Sequence, residues 1–587
     1  MSWKREDPQG NEAAKIAWEI VRYTRGQGLD IGAGMYRTFP HFITVDNNID
    51  AVLFKHPMPR PDIPVEDGGK LDMIASDSMD FVFSSHMLEH VEEERLVQVL
   101  KEWLRVIKLR GYLILYLPDS DEYPKVGTEG ANPDHKWDVS YNKVISLMVK
   151  AGHWDLIDFQ KRNQDQEYSL YFVFRKEHKG QRFSCDAPKP VRKTCGLVRY
   201  GAYGDLMQAA SVAAALKAEG YHITLYTANP GYEVIREDPN IDEFYLQDRD
   251  QVPNAALGHF WAYQSKKYDK WVNLSESVEG SLLAMDGRIV DTYDPAIRHE
   301  LLNRNYLEYQ HFLAGVDHHE PKVKFFPTAD ELEWAKAERR KYGQLLVVWA
   351  LTGSSVHKHW PWLDNAVSGL LIDFPEVEVL FVGGPDGVVL EQGWEKAERV
   401  HRRSGKWEIR RTLSFVQQAD VVIGSETGIL NAVAQEEMPK IVFLSHSTVE
   451  NLTRDWVNTH SLASVDTVCK GRGNNEAPAC HKLHHGWSRC TEAAPLPGTE
   501  DMYPRKGSGV AQCMYDIGAQ EAYKVIWHVV QWRLEEYAKR DGKPPPGLTP
   551  ITPEQRARLM QSLPEAIRKE SPAEVMAEPE KSVIELA

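Results

Sequence analysis

The chain has 587 residues, more than one hydrophobic core normally supports, so about three domains are expected. With 42% hydrophobic and 26% charged residues it has an ordinary globular balance, which excludes a wholly disordered or fibrous chain. The net charge of −16 is spread along the sequence, which argues against long-range attraction to nucleic acid or anionic lipid, and no run approaches the roughly 18 apolar residues that a bilayer span requires.

From residue 12 to 178, strand-like apolar runs alternate with amphipathic stretches, the rhythm of a parallel sheet with crossover helices. Gly28-Leu29-Asp30-Ile31-Gly32-Ala33-Gly34 reads as a strand end running into a glycine turn, where the backbone can pass close to a ligand. Ile43-Thr44-Val45-Asp46 reads as a second strand, ending in a carboxylate placed to meet a ribose diol. A third strand, beginning at Asp80, ends in Ser85-His86-Met87-Leu88-Glu89-His90. The helix after it carries a core stripe of Leu96, Val99, Leu100, Trp103, Leu104 and Ile107. Gly111-Tyr112 then opens the strand Leu113 to Leu117.

Residues 179–193 combine Pro, Gly and charge without apolar periodicity and read as a linker. The alternation resumes at 194. Arg199 to Asp205 is a strand end, a glycine-containing turn and an acid heading an Ala-rich helix; that acid could simply cap the helix. An inner boundary falls near 335, before the buried-strand run Leu345 to Ala350. Loops then follow strands at Leu351 to Pro361, Gly383 to Asp386 and Ser425 to Gly428, the edge at which open α/β sheets bind ligands. Residues 539–587 are rich in Pro and charge, and a mobile tail with one short helix at 553–562 is expected.

The first segment, 12–178, resembles the class I methyltransferases, in particular the small-molecule branch carrying S-x-x-L-E-H after the fourth strand. The resemblance implies S-adenosylmethionine as cofactor, with Asp30, Gly32 and Gly34 around its methionine portion, Asp46 on the ribose, and Asp67 or Asp72 near the adenine. His90, His86 and His135 are the candidates for a general base on the methyl acceptor.

Residues 194–335 and 336–538 together resemble the heptosyltransferases, which move ADP-activated heptose onto lipopolysaccharide core sugars. The likeness lies in R-x-x-x-x-G-D at Arg199 to Asp205, K-H-W-P at Lys358 to Pro361 and a D-[ST]-G-like loop at Glu426 to Gly428. It implies a GT-B pair of Rossmann-like domains, an acceptor-side one and a nucleotide-sugar one, performing inverting transfer from a nucleotide-diphosphate sugar, an ADP-sugar by resemblance. Asp205 would be the general base and Lys358 would offset charge on the leaving diphosphate. Thr427 and Gly428 would donate to the phosphates beside Glu426, and Gly383 and Gly384 would face the nucleoside. No metal is expected. Glu426 stands in place of the usual Asp, Asn431 in place of a His, Gly201 in place of a hydroxyl residue and Ser211 in place of a Pro, which leaves heptose specificity open.

The fold class expected is therefore α/β throughout, and the function that of a bifunctional glycan-modifying enzyme. The same chemistry on a protein or modified-DNA acceptor, or a degenerate scaffold that only binds nucleotide sugars, are the alternatives. The start MSWKREDPQG has no apolar stretch behind its charges and six cysteines are too few for a disulfide framework, so the cytoplasm is the expected compartment. Asp248-Arg249-Asp250 matches a metal-binding D-x-D only by its three residues. Cys469, Cys480, Cys490 and Cys513, with His481, His484 and His485, lack paired zinc spacing and read as packed thiols or a redox-dependent bridge.

Overall fold

A computed structural model describes residues 11–541 apart from 35, 48–51, 54, 55, 58, 165, 187–191, 286, 318–321, 355–357, 465–479, 483–492 and 495–509. The expected helix at 553–562 and the residues Cys469, His484, His485 and Cys490 lie outside the described residues. The chain forms two compact units, Met1–Lys193 with Tyr245–Lys270, and Thr194–Phe244 with Trp271–Ala587. Both are α/β, as the sequence led us to expect. Among the described residues no helix is long and apolar enough to cross a membrane.

In the first unit, α1 (Glu12–Ile20) starts where the Asn11 side chain accepts the Ala14 N–H, and it buries Ile16, Trp18 and Ile20. The strands are β1 (Gly28–Ile31), β2 (Phe42–Asp46), β3 (Ile63–Pro64) and β4 (Met79–Ser85). After α2 (Leu96–Val106) come β5 (Ile107–Pro118), α3 (Tyr141–Ala151), β6 (Trp154–Arg162), β7 (Ser169–Lys176) and β8 (Gln181–Phe183). They form one sheet in the order β8-β6-β7-β5-β4-β1-β2-β3. β3, β2, β1, β4 and β5 run parallel, while β7 is antiparallel to both its neighbours. The sheet grows one way from β1 through β2 and β3 and the other way through β4 and β5. At such a reversal the loops after β1 and β4 diverge and leave a crevice.

Two local departures from the sequence reading have simple causes. Ile107 does not end the helix but opens β5, which begins well before Leu113; the stripe Leu96, Val99, Leu100, Trp103 and Leu104 is buried as expected. Arg110 adopts φ 68° and a Cβ on Gly111 would come 2.6 Å from the Asp80 carbonyl oxygen, so the strand continues through a bulge that only glycine permits there. Gln181–Phe183, read as linker, pairs with β6 and sets Phe183 edge-on against Trp154. An edge strand needs backbone pairing rather than apolar alternation, so periodicity could not reveal it. The segment returning at 245–270 includes the helix Asn254–Ser265; Gln264 Nε2 donates to the Trp18 carbonyl (2.9 Å) and Gln251 Nε2 to that of Val21 (2.6 Å).

The second unit opens with β9 (Lys193–Val198), α4 (Tyr203–Ala218), β10 (Tyr221–Ala228), β11 (Glu243–Gln247) and β12 (Lys270–Asn273), in the sheet order β11-β10-β9-β12. A second sheet follows: β13 (Leu345–Ala350), α5 (Leu363–Asp373), β14 (Val377–Val382), β15 (Val400–Arg402), α6 (Ile409–Val416), β16 (Val421–Ser425), α7 (Gly428–Ala432), β17 (Lys440–Leu444) and β18 (Thr459–Ala463), before the long helix α8 (Ala519–Arg540). Its order is β15-β14-β13-β16-β17-β18, all parallel, with the reversal between β13 and β16. Ala350 lies opposite both Val382 and Gly424, so three strand ends and their loops share one edge. Asp420 ties the sheet to α8 by accepting from the Tyr537 hydroxyl, the Leu346 N–H (2.7 Å) and Arg339 (2.5 Å).

One apolar core joins Leu206, Met207 and Val212 of α4 to Val348, Val422, Ile429 and Leu430. The first turns of α4 and α7 meet at glycines: a Cβ on Gly428 would lie 2.8 Å from Tyr203 Cβ and 3.2 Å from the Gly204 nitrogen. In Gly428→Val this overlap should cost about 1–3 kcal/mol through forced separation. Thermal unfolding followed by circular dichroism should show a Tm lowered by several degrees; an unchanged Tm would mean the helices can part freely.

Candidate active sites

In the first unit the turn after β1 has Gly32 at φ 78° and Gly34 at φ 58°, both left-handed. A Cβ on Gly32 would strike Met87 at 2.6 Å, whereas one on Gly34 would meet nothing within 4 Å, so Gly34 borders open space. The Gly34 N–H donates to Asp46 Oδ2 (2.8 Å), which brings the carboxylate ending β2 onto the turn. Asp30 is buried and accepts from the Thr38 N–H (3.2 Å) and hydroxyl (2.9 Å), so it braces the loop behind the turn. Asp67 accepts from the Gly69 N–H (2.9 Å) and pairs with Arg95, while Asp72 is exposed. The structure thus brings Gly32, Gly34 and Asp46 together and gives Asp30 and Asp67 partners within the protein.

Beyond β4 lies a cluster around Glu89, a residue that no sequence signal sets apart. Glu89 is fully buried and its carboxyl is pushed up to about 8 by burial. His86 Nδ1 stands 3.5 Å and His135 Nε2 3.8 Å from Glu89 Oε1, and the His90 and His135 rings meet edge to face at 4.9 Å. Burial holds His86 down at about 3 and lowers His90 and His135. His86 Nε2 also contacts the Ser169 hydroxyl (2.9 Å).

In the second unit Asp205 occupies the first turn of α4 and accepts from the N–H of the N-cap residue Ala202 (2.8 Å), so it braces the helix start from within rather than standing as the N-cap itself. Its Oδ1 also faces Arg199 Nη2 at 3.3 Å. Arg199 is fully buried and forms two 2.9 Å bonds to Glu279, which no sequence signal marked. Desolvation raises the Asp205 carboxyl, Arg199 opposes it and Glu279 adds to it; Lys358 contributes a further lowering field. Gly201 sits at φ 149° with Asp205 Oδ2 at 2.8 Å from where its Cβ would be, so a side chain there would displace the acid.

Lys358 Nζ donates to the Glu426 carbonyl (3.0 Å), and Gly353 gives room to both Lys358 and Thr427. Trp349, Lys358, His359, Trp360, Ser425 and Phe443 line a small cleft there, with room for little more than a water molecule. The Glu426 side chain is buried and accepts from the Ser445 N–H (2.7 Å), the Ser445 hydroxyl and the His446 N–H (3.1 Å). Although burial opposes ionisation, His446, Lys358 and Ser445 hold it well below the usual carboxylate range. Its carboxylate therefore pins the loop after β17. Thr427 Oγ1 caps α7 by accepting from the Leu430 N–H (3.5 Å). Asn431 donates to the Thr427 carbonyl (2.8 Å) and accepts from Gln208 of α4 (3.1 Å). Gly383 packs against Thr352 and Ser404, and Asp386 reaches back to the Thr352 hydroxyl (3.4 Å).

Asp248 of the D-x-D match accepts from the Gly26 N–H (2.6 Å) and pairs with Arg25 (3.1 Å), a structural use. Cys480 and Cys513 are buried.

Residues 29–115 match the family described as a methyltransferase domain. The chain thus carries such a domain and is a transferase. No curated protein matches the sequence. Among solved structures, the chain is similar to the E. coli ADP-heptose lps heptosyltransferase II, at 14% identity and TM-score 0.39, over 58% of this chain and 99% of that one. It is similar to a glycosyl transferase family 9 protein from Veillonella parvula at 13% identity and TM-score 0.37, over 46% and 85%. A SAM dependent methyltransferase from Archaeoglobus fulgidus matches at 17% identity and TM-score 0.22, over 28% and 92%.

Burial raises the Asp30 carboxyl to about 7, so the folded chain retains a proton that the unfolded chain releases near its ordinary value of about 4. Stability contributed by this group falls as pH rises through that interval. Urea-unfolding midpoints of Asp30→Asn should decline less than wild type between pH 4 and 7, and parallel profiles would remove Asp30 from the account.

Proposed function

We propose that the chain is a bifunctional glycan-modifying enzyme, an S-adenosylmethionine-dependent methyltransferase joined to an inverting, metal-independent glycosyltransferase that uses a nucleotide-diphosphate sugar. The observation that carries the transferase half is the meeting of Asp205, Lys358, Thr427 and Gly428, from two separate sheets, around the paired first turns of α4 and α7. An acceptor hydroxyl attacks the anomeric carbon, its proton passes to Asp205, and the bond to the diphosphate breaks. Asp205 suits this task because 30% of its side chain stays exposed while Arg199 favours its ionised form. Lys358 offsets the charge left on the diphosphate, and the Thr427 hydroxyl and Gly428 N–H donate to its oxygens. Gly383 and Gly384, packed against Thr352, Ser404 and Asp386, would present their backbone to the nucleoside. An ADP-sugar is the donor of choice by the resemblance of the motifs, with a glycan or glycosylated molecule as acceptor.

In the methyltransferase domain, Gly32 and Gly34 line the donor crevice, Asp46 binds the ribose, and Asp30 and Asp67 hold the flanking loops in position. When bound, S-adenosylmethionine supplies an electrophilic methyl group on a sulfonium. His86 and His90 on the turn after β4, and His135 on the later loop bonded to it, are the groups that would take the acceptor's proton. Both activities in one chain keep the second reaction at high effective concentration on a shared molecule.

Incubated with a panel of nucleotide sugars, the protein should slowly hydrolyse its donor, detected by mass spectrometry. Asp205→Ala and Lys358→Ala should each slow this by about 100-fold or more. Hydrolysis unchanged in both variants would reject the assigned site. Calorimetric titration with S-adenosylhomocysteine should lose its signal in Asp46→Ala, and undiminished affinity would remove Asp46 as the ribose ligand.

A further inference from the structure

The buried carboxylate of Glu89 poses an unanswered question. Neither of its oxygens has a hydrogen-bond partner among the described residues, although the side chain is 0% exposed. An acid in that position is costly to keep unless a proton or a cation satisfies it. The surroundings hold the ligands a cation needs: one ligand atom from each of Glu89, His90 and His135 lies within 4.8 Å of the other two.

We propose that Glu89, His90 and His135 bind a divalent cation of the first transition row beside the methyl-donor crevice. The separation of Glu89 Oε1 from His135 Nε2, 3.8 Å, is close to the roughly 3.4 Å between neighbouring ligand atoms of a tetrahedral zinc site, and the His90 ligand atom lies within 4.8 Å of both. The backbone prepares this arrangement. The Lys136 N–H donates to the Glu89 carbonyl (2.9 Å), Trp137 Nε1 to that of Leu88 (3.1 Å), and the His90 N–H to that of Met87 (3.1 Å). These bonds lock the loop carrying His135 onto the turn carrying the other two ligands. Two imidazoles and one carboxylate favour zinc, cobalt, manganese or iron over magnesium or calcium, which prefer oxygen donors. Three protein ligands also leave a position open.

The site deepens the methyltransferase reading and rests on it for its role. Met87, two residues before Glu89, packs against the position of a Cβ on Gly32, so the cluster borders the glycine turn. A hydroxyl of the acceptor taking the open position would lose its proton to solvent more readily, as metal-bound water does. Its oxygen then forms the new bond to the methyl carbon while the carbon–sulfur bond breaks and the sulfonium becomes a neutral thioether. His90 and His135 serve in this scheme as ligands rather than as bases.

The test uses the full chain, stripped with a chelator and titrated with cobalt(II) alone. Visible absorption should rise to saturation, and Glu89→Gln and His135→Asn should each weaken binding by more than about tenfold, the loss that removal of even an outer partner causes. His90→Asn, on the turn itself, gives a third reading should either buried variant misfold. Absence of cobalt uptake by the wild type, or equal affinity in every folded variant, would overturn the proposal. Calorimetry with S-adenosylhomocysteine on the same samples separates the two ideas: metal-site variants that still bind it leave the donor crevice intact, and wild-type protein that fails to bind it counts against the donor reading alone.

Discussion

The second unit depends on a backbone contact that side chains would prevent. Gly204 at the start of α4 and Gly428 at the start of α7 let two helix ends, grown from different sheets, approach until backbone faces backbone. Everything with chemical character follows from that approach. Asp205 comes one residue after Gly204 and Thr427 one before Gly428, so closing the glycine contact places the acid and the hydroxyl on either side of one junction. Gln208 and Asn431 then bridge the same helices one turn further in, where water cannot compete for the bond.

Charges around this junction hold shape as much as they promise chemistry. Arg199, completely buried, is shared between Glu279 and Asp205, and an unpaired guanidinium at that depth would be prohibitive. Glu426 spends its carboxylate on Ser445 and His446, leaving only its carbonyl to hold Lys358. Glu426 thereby ties the loop after β17 to its own turn, whose carbonyl accepts from Lys358. Asp30 does comparable work in the first unit, where its bonds to Thr38 fix the loop behind the glycine turn.

Much of the fold was legible because its signals are local. Buried apolar runs such as Leu345–Ala350 form strands at the residues where they were expected, and the α2 stripe faces the core. Glycine turns at strand ends were legible for the same reason, since positive φ and close approach are demands a single residue can reveal. Non-local pairings left no such trace. The edge strand Gln181–Phe183 is polar and short, and the bulge at Gly111 depends on a carbonyl contributed by another strand.

By itself, then, the sequence determined the α/β alternation, the glycine turns and the acids that head or follow them, because each arises from periodicity or from the conformational limits of one residue. Only the tertiary structure decided which carboxylates are occupied by neighbouring donors and which are left unmet. Glu426 and Glu89 look alike along the chain, yet Glu426 receives two N–H groups and a hydroxyl while Glu89 faces two imidazoles beyond hydrogen-bonding distance. That distinction arises from residues far apart in sequence, meeting where water is excluded, and no local pattern encodes it.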